Sequence, residues 1–171
     1  MISANENYYR QLAGYIRERC GTVGFKLEVK NIGDAYASDI AIRLSMPSAN
    51  GFRVTDDSGI TNIPSVGGII ALSNIYSRHS DMTNQIAFES GRGAETAILC
   101  IGKLQAGEAC FTDKLYLVHP KESLSELRIT AHADQLRAPL ELVVPVSILV
   151  TTQTLSVDQI KDYAEKLGES G

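Results

Sequence analysis

Tryptophan is absent from this chain, and the remaining aromatics are seven Tyr and four Phe, 6% of 171 residues. Large aromatic faces are what a ligand platform for sugar rings would stack on, so carbohydrate binding starts at a disadvantage. Cysteine is scarce as well. Cys20, Cys100 and Cys110 form no Cys-x-x-Cys pair, which excludes the spacing of a zinc ribbon or a thioredoxin-type redox site. No apolar run approaches the roughly 18 residues that a membrane-spanning helix requires. Asn5, Glu6, Asn7 and Arg10 interrupt any signal-peptide core, and the expected compartment is the cytoplasm, with no membrane partner. A basic excess is missing too: 16 Lys and Arg stand against 20 Asp and Glu, for a net charge of -4. The basic residues are scattered, whereas phosphate contact needs them clustered, so direct nucleic-acid binding is not expected.

Catalytic signatures are equally absent. There is no Gly-x-Ser-x-Gly elbow, no phosphate loop and no His-Glu-x-x-His helix, and an enzyme becomes the least favoured class. His79, His119 and His132 lie far apart with no second ligand at metal spacing, so neither metal nor cofactor is expected. Asp56 and Asp57 lack the carboxylate ladder of a calcium loop and read as a solvated turn. Gly91, Arg92 and Gly93 are a flexible inter-strand loop before they are an anion nest.

What is present is a 44% hydrophobic chain patterned with period two, enough for one domain with a core. Phe25, Leu27 and Val29 alternate with Lys26, Glu28 and Lys30. Ile40, Ile42, Leu44 and Met46 follow after a polar corner, with Arg43 on the wet side and Pro47 ending the strand. Phe52, Arg53 and Val54 form a short segment between the turn residues Asn50-Gly51 and Thr55 to Gly59. Ile69 to Tyr76 and Gln85 to Glu89 read as strands separated by the turn at Ser77 to Asp81. Thr96 to Leu104 is a strand that buries Cys100 as a small hydrophobe, then a turn spans Gln105 to Glu108. Cys110 to Val118 follows, anchored by Phe111, Leu115 and Leu117 and ended by Pro120. Leu127, Ile129, Ala131 and Ala133 alternate next. After a loop from Asp134 to Pro139, Leu142, Val144, Val146 and Ile148 alternate along a strand from Leu140 to Val150. Pro145 places that strand at an open edge or a bulge.

Helices bracket the strands. Tyr8, Leu12, Tyr15, Ile16 and Arg19 recur at helical spacing over residues 5–19, and Gly21 stops the run. Ser156 and Gln159 form a capping box for a second helix, with Ile160, Tyr163, Ala164 and Leu167 as its apolar stripe and Gly168 as its stop. Each stripe requires a cover, either the strands of this chain or a neighbouring module or chain. Tyr8, Leu12, Tyr15, Ile16, Ile160, Tyr163 and Leu167 are therefore the candidate interaction residues.

The fold class expected is mainly β: an immunoglobulin-like β-sandwich at 23–150, with an N-terminal helix within 1–20 and a C-terminal helix at 155–168. The corner from Val29 through Asn31, Gly33 and Ala37 to Ile40, with the later Leu104-Gln105-Ala106-Gly107-Glu108 turn, resembles bacterial and archaeal immunoglobulin-like modules of the CARDB type. The resemblance implies that Asn31 and Gly33 take left-handed backbone conformations while Ala37 fits under the sheet, which makes Asn31, Gly33, Ala37 and Gly107 the structural corner. Over residues 5–150 the chain is also similar to the C-terminal sandwich of bacterial AlbA-type, Schlafen-like DNA-binding proteins. The helix with Tyr8, Tyr9 and Tyr15, the Asn-x-Gly corner, Met46-Pro47 and Leu115-Tyr116-Leu117-Val118 carry that likeness. The DNA-binding module of that group precedes such a helix and is not in this sequence, so no nucleic-acid contact passes to these residues.

The expected function is a non-catalytic protein-interaction or domain-positioning module, working within a larger bacterial protein or beside it. Its partner is a protein, a neighbouring domain or a second copy. The alternatives are a small-ligand or carbohydrate-binding sandwich and an accessory domain of a nucleic-acid-linked defence or regulatory protein.

Overall fold

Strand forms where apolar and polar residues alternate, and the longest alternations build the widest sheet. A computed structural model describes residues 7–48, 52–65, 85–91, 93–118, 123–149 and 151–169. The fold is mainly β with one helix near each terminus. Helix α1 is Tyr8–Cys20 and α2 is Val157–Glu169. The strands are β1 Thr22–Phe25, β2 Glu28–Lys30, β3 Ala37–Pro47, β4 Arg53–Thr55, β5 Gln85–Gly91, β6 Ala94–Leu104, β7 Ala109–Phe111, β8 Leu115–Val118, β9 Ser123–His132 and β10 Leu140–Ile148. The segments at 69–76 and 77–81, the turn residues Asn50 and Gly51, Pro120, Arg92, His79 and His119 lie outside the described residues.

Five strands form one antiparallel sheet in the order β10-β9-β3-β6-β5. The others lie in the orders β1-β8-β4 and β2-β7. A single apolar core joins them: Ile40, Ile42, Leu44 and Met46 of β3, Ala97, Leu99, Ile101 and Leu104 of β6 and Leu127 of β9 pack with Val54, Leu115, Leu117 and Phe52. The β3 and β6 faces are buried at alternate residues, as period two requires. Pro145 sits on β10, an edge strand bonded within this sheet to β9 alone, where its missing N–H is tolerated.

Two expected strands are broken, and one irregularity breaks both. Phe25 pairs with Leu115 and Glu28 with Phe111, so Lys26 and Leu27 stand opposite three residues, Thr112 to Lys114. This is a bulge. Leu27 N–H donates to Thr112 Oγ1 at 3.0 Å, and Thr112 N–H donates to Leu27 O at 2.9 Å, which stitches the gap. The extra residue inverts the facing of everything before it on the strand leading into β8. Cys110 and Thr112 turn inward, and Phe111 turns out with 63% of its surface exposed, contrary to its assignment as an anchor. Phe25, Leu27 and Val29 all keep their contact with the core.

Three other expectations need correction. Cys100 is exposed, because Leu99 and Ile101 take the inward positions and a strand gives its neighbours the other face. Asn31 and Gly33 are not left-handed; in this region positive φ belongs to Gly107 at 77°, Asp39 at 49° and Gly102 at 82°. Ile40 lies opposite Gly102, where the β3–β6 register slips. Finally, α2 runs through Gly168 to Glu169 rather than stopping at it. Ser156 N–H donates to Gln159 Oε1 at 3.0 Å and Gln159 N–H to Ser156 Oγ at 3.4 Å, so the capping box forms as read. The short segment after residue 51 is a strand, β4, preceded by the buried Phe52.

Candidate functional site

The registers sort the connections to two ends. Thr22 pairs with Val118, Pro47 with Ala94 and Ser123 with Ile148, so those strand ends share the end that carries both helices. The connections 31–36, 105–108 and 133–139 gather at the other end.

At the helix end, the two stripes cover each other. Tyr8, Leu12 and Tyr15 of α1 close a small apolar cluster with Ala164 of α2, and Ile16 and Ile160 pack against it. Tyr163 is half-buried with its hydroxyl 3.8 Å from Cys20 Sγ, and Leu167 is half-buried. The Tyr163 hydroxyl is held above its ordinary value by that hydrogen bond and by the charge the Cys20 thiol can carry. A Cβ at Gly168 would lie 3.2 Å from the Tyr15 hydroxyl, so a small residue suits this close passage. The candidate interaction residues thus sit on or beside the contact between the two helices. Tyr9 alone among the α1 tyrosines points to solvent, its ring edge-on to Tyr8 at 5.2 Å.

At the loop end, Asn31 organises the turns. Its Oδ1 accepts from Gly33 N–H at 3.0 Å, and its Nδ2 donates to Ala35 O at 2.8 Å and Leu104 O at 3.2 Å. Its backbone closes a second pair: Asn31 N–H donates to Glu108 O and Gly107 N–H to Asn31 O, both at 2.9 Å. Glu108 also accepts Gln105 N–H through its side chain at 2.7 Å. A left-handed Gly107 makes this turn, and a Cβ at Gly33 would crowd Asn31 Oδ1 at 3.3 Å. Ala37 packs against the main core, as expected of the corner. The third connection is tied in by Ser38, whose hydroxyl donates to Asp134 Oδ2 at 2.9 Å and whose N–H donates to Gln135 Oε1 at 2.9 Å.

Ile32 stands on one of these hydrogen-bonded turns, and the start of β10 brings further exposed apolar side chains to the same end. Ile32 is 88% exposed, Leu140 61% and Leu142 59%, while Tyr36 and Leu136 are also exposed. Tyr36 carries Lys103 Nζ 6.0 Å from its ring centre. The Cys110 thiol is pushed up by burial and by the charge of Glu108. Among the described residues no three His, Cys, Asp or Glu side chains gather as a metal site. What this end offers is an exposed isoleucine on a hydrogen-bonded turn. Ile32 carried a signal in the sequence, an isoleucine set inside a turn between Asn and Gly. Leu140 and Leu142 carried none, because the alternation that places Leu142 on the core-facing side says nothing of how far the opposing layer extends.

No protein-family model matches the chain, and a comparison with the curated proteins gives no match. Among the described residues, no helix is long and apolar enough to cross a membrane.

Proposed function

We propose that this chain is a non-catalytic module that works by protein contact, an immunoglobulin-like β-sandwich that joins or positions a protein partner at its loop end. The observation that carries the reading is the exposure of Ile32 on a turn whose backbone and side chains are held by the Asn31 bonds. A surface fixed before binding loses less entropy on association, so apolar exposure on a braced turn is of more use to a binder than the same exposure on a free loop. The helices support this assignment by elimination, since their stripes are already engaged with each other. Three sheets around one core, with the Asn-x-Gly corner bonded to the Gly107 turn, support the kinship with CARDB-type modules. Free thiols, two of them exposed, accord with a reducing cytoplasmic setting.

Replacing Ile32 and, separately, Tyr9 with a photo-crosslinking amino acid tests it in the cells that make the protein. Irradiation yields a discrete protein adduct from position 32. Adducts from position 9 alone, or none from position 32, overturn the reading.

A further inference from the structure

The helix pair has its own apolar cluster, separate from the core that joins the β layers. Among the described residues, the backbone joins it to the strands through two connections. A single residue, Gly21, separates α1 from β1, and its N–H is shared between Arg17 O and Glu18 O at 3.1 Å each. On the other side α2 follows β10 after a connection in which residues 151–154 are all exposed. Two linkers of this kind do not by themselves fix an angle.

Glu18 supplies what the linkers lack. Its carboxylate accepts from Arg53 Nη2 of β4 at 2.7 Å, and from Thr61 N–H at 3.0 Å and Thr61 Oγ1 at 2.6 Å. Its backbone carbonyl accepts from Thr22 Oγ1 at 2.6 Å, at the first residue of β1. One residue of the last turn of α1 therefore meets β1, β4 and the segment after the short 3-10 turn at Asp57–Gly59. That segment also carries Ile60, which is buried with Tyr116 and Val118 of β8 in a third apolar cluster. An ion pair this exposed contributes little alone, but charge-assisted bonds from several donors fixed on different elements add geometry as well as energy.

We infer that Glu18 is a latch: its carboxylate sets the angle between the helix pair and the β layers, and without it the two helices move together as one unit. The linkers then act as the hinge and the helix–helix cluster as the rigid arm. Release at Glu18 also loosens the segment that lays Ile60 over the outer side of β8. The inference is independent of what binds the loop end.

The experiment is solution NMR on the full chain and on Glu18→Gln, which keeps shape and removes the charge. Amide exchange at Thr61 quickens about tenfold, the loss expected of a charge-assisted bond, while the amide chemical shifts of Leu44 and Leu99 in the main sheet are unchanged. Residual dipolar couplings of α1 and α2 shrink together relative to those of the strands. Arg53→Met, which leaves Glu18 in place, shows the same joint change more weakly. The latch is overturned if helix and strand couplings fit one orientation in both variants. It is overturned equally if amide chemical shifts change throughout the main sheet as they do in the helices, because Glu18 is then part of a single cooperative unit and not a joint.

Discussion

Asn31 shows why a single polar side chain can shape a whole end of the protein. An amide is both donor and acceptor, and here Oδ1 closes the local turn at Gly33 while Nδ2 reaches Ala35 O and, across the chain, Leu104 O. Each such bond contributes about 0.5–1.5 kcal/mol net, so Asn31→Ala is expected to cost about 2 kcal/mol in chemical denaturation. Asn31→Asp restores the acceptor but turns a carboxylate toward two carbonyl oxygens, and its expected cost is at least as large; near-neutral behaviour of Asn31→Asp would refute the donor role. The importance of Asn31 and Gly107 was legible in the sequence, because Asn and Gly at reversals have few other uses. The mechanism was not. Asn31 acts through side-chain bonds to a residue far along the chain, and the left-handed backbone falls on Gly107.

At the scale of the element, the two helices were legible and their mutual contact was not. Spacing reports which side of a helix is apolar, but the cover for that side depends on where the chain returns, and α2 is separated from α1 by the entire β region. The bulge between the β1–β2 and β7–β8 segments is a similar case. Nothing in the alternation through Phe111 announces that one extra residue will stand opposite Lys26 and Leu27, yet that residue alone decides that Cys110 faces in and Phe111 out. Leu12 is fully buried between the helices. Truncating it to Ala removes apolar contact and leaves a void at a two-helix interface that can partly close, so the expected cost is about 2–3 kcal/mol, toward the low end for a buried leucine. Tyr9→Ala, one turn position away and exposed, is expected to change stability by less than about 0.5 kcal/mol. Thermal or urea unfolding of the two variants compares them directly; equal costs would mean that the helix pair does not depend on this stripe.

At the scale of the whole molecule, Glu18 ties the stability of the assembled fold to pH. Burial alone would raise its carboxyl, but the Thr61 hydroxyl and N–H and the charge and hydrogen bond of Arg53 outweigh it, and the value falls below the ordinary 4.5. A carboxyl that is more acidic folded than unfolded adds stability wherever the unfolded chain would also be ionised. Its contribution is therefore complete above pH 4.5, declines as pH falls through the lowered folded value, and vanishes below it. Other carboxylates titrate in the same range, so the wild-type curve alone does not isolate the effect. The difference between wild type and Glu18→Gln does, since glutamine has no proton to exchange and every other group is common to both. Urea unfolding of the pair from about pH 7 to about pH 3 is expected to give a constant gap at neutral pH that narrows only below pH 4.5. A gap that widens on acidification would reverse the sign and show that burial, rather than the Thr61 and Arg53 partners, governs the Glu18 carboxyl. A gap independent of pH would leave its shape, and not its charge, as what holds α1 against β4.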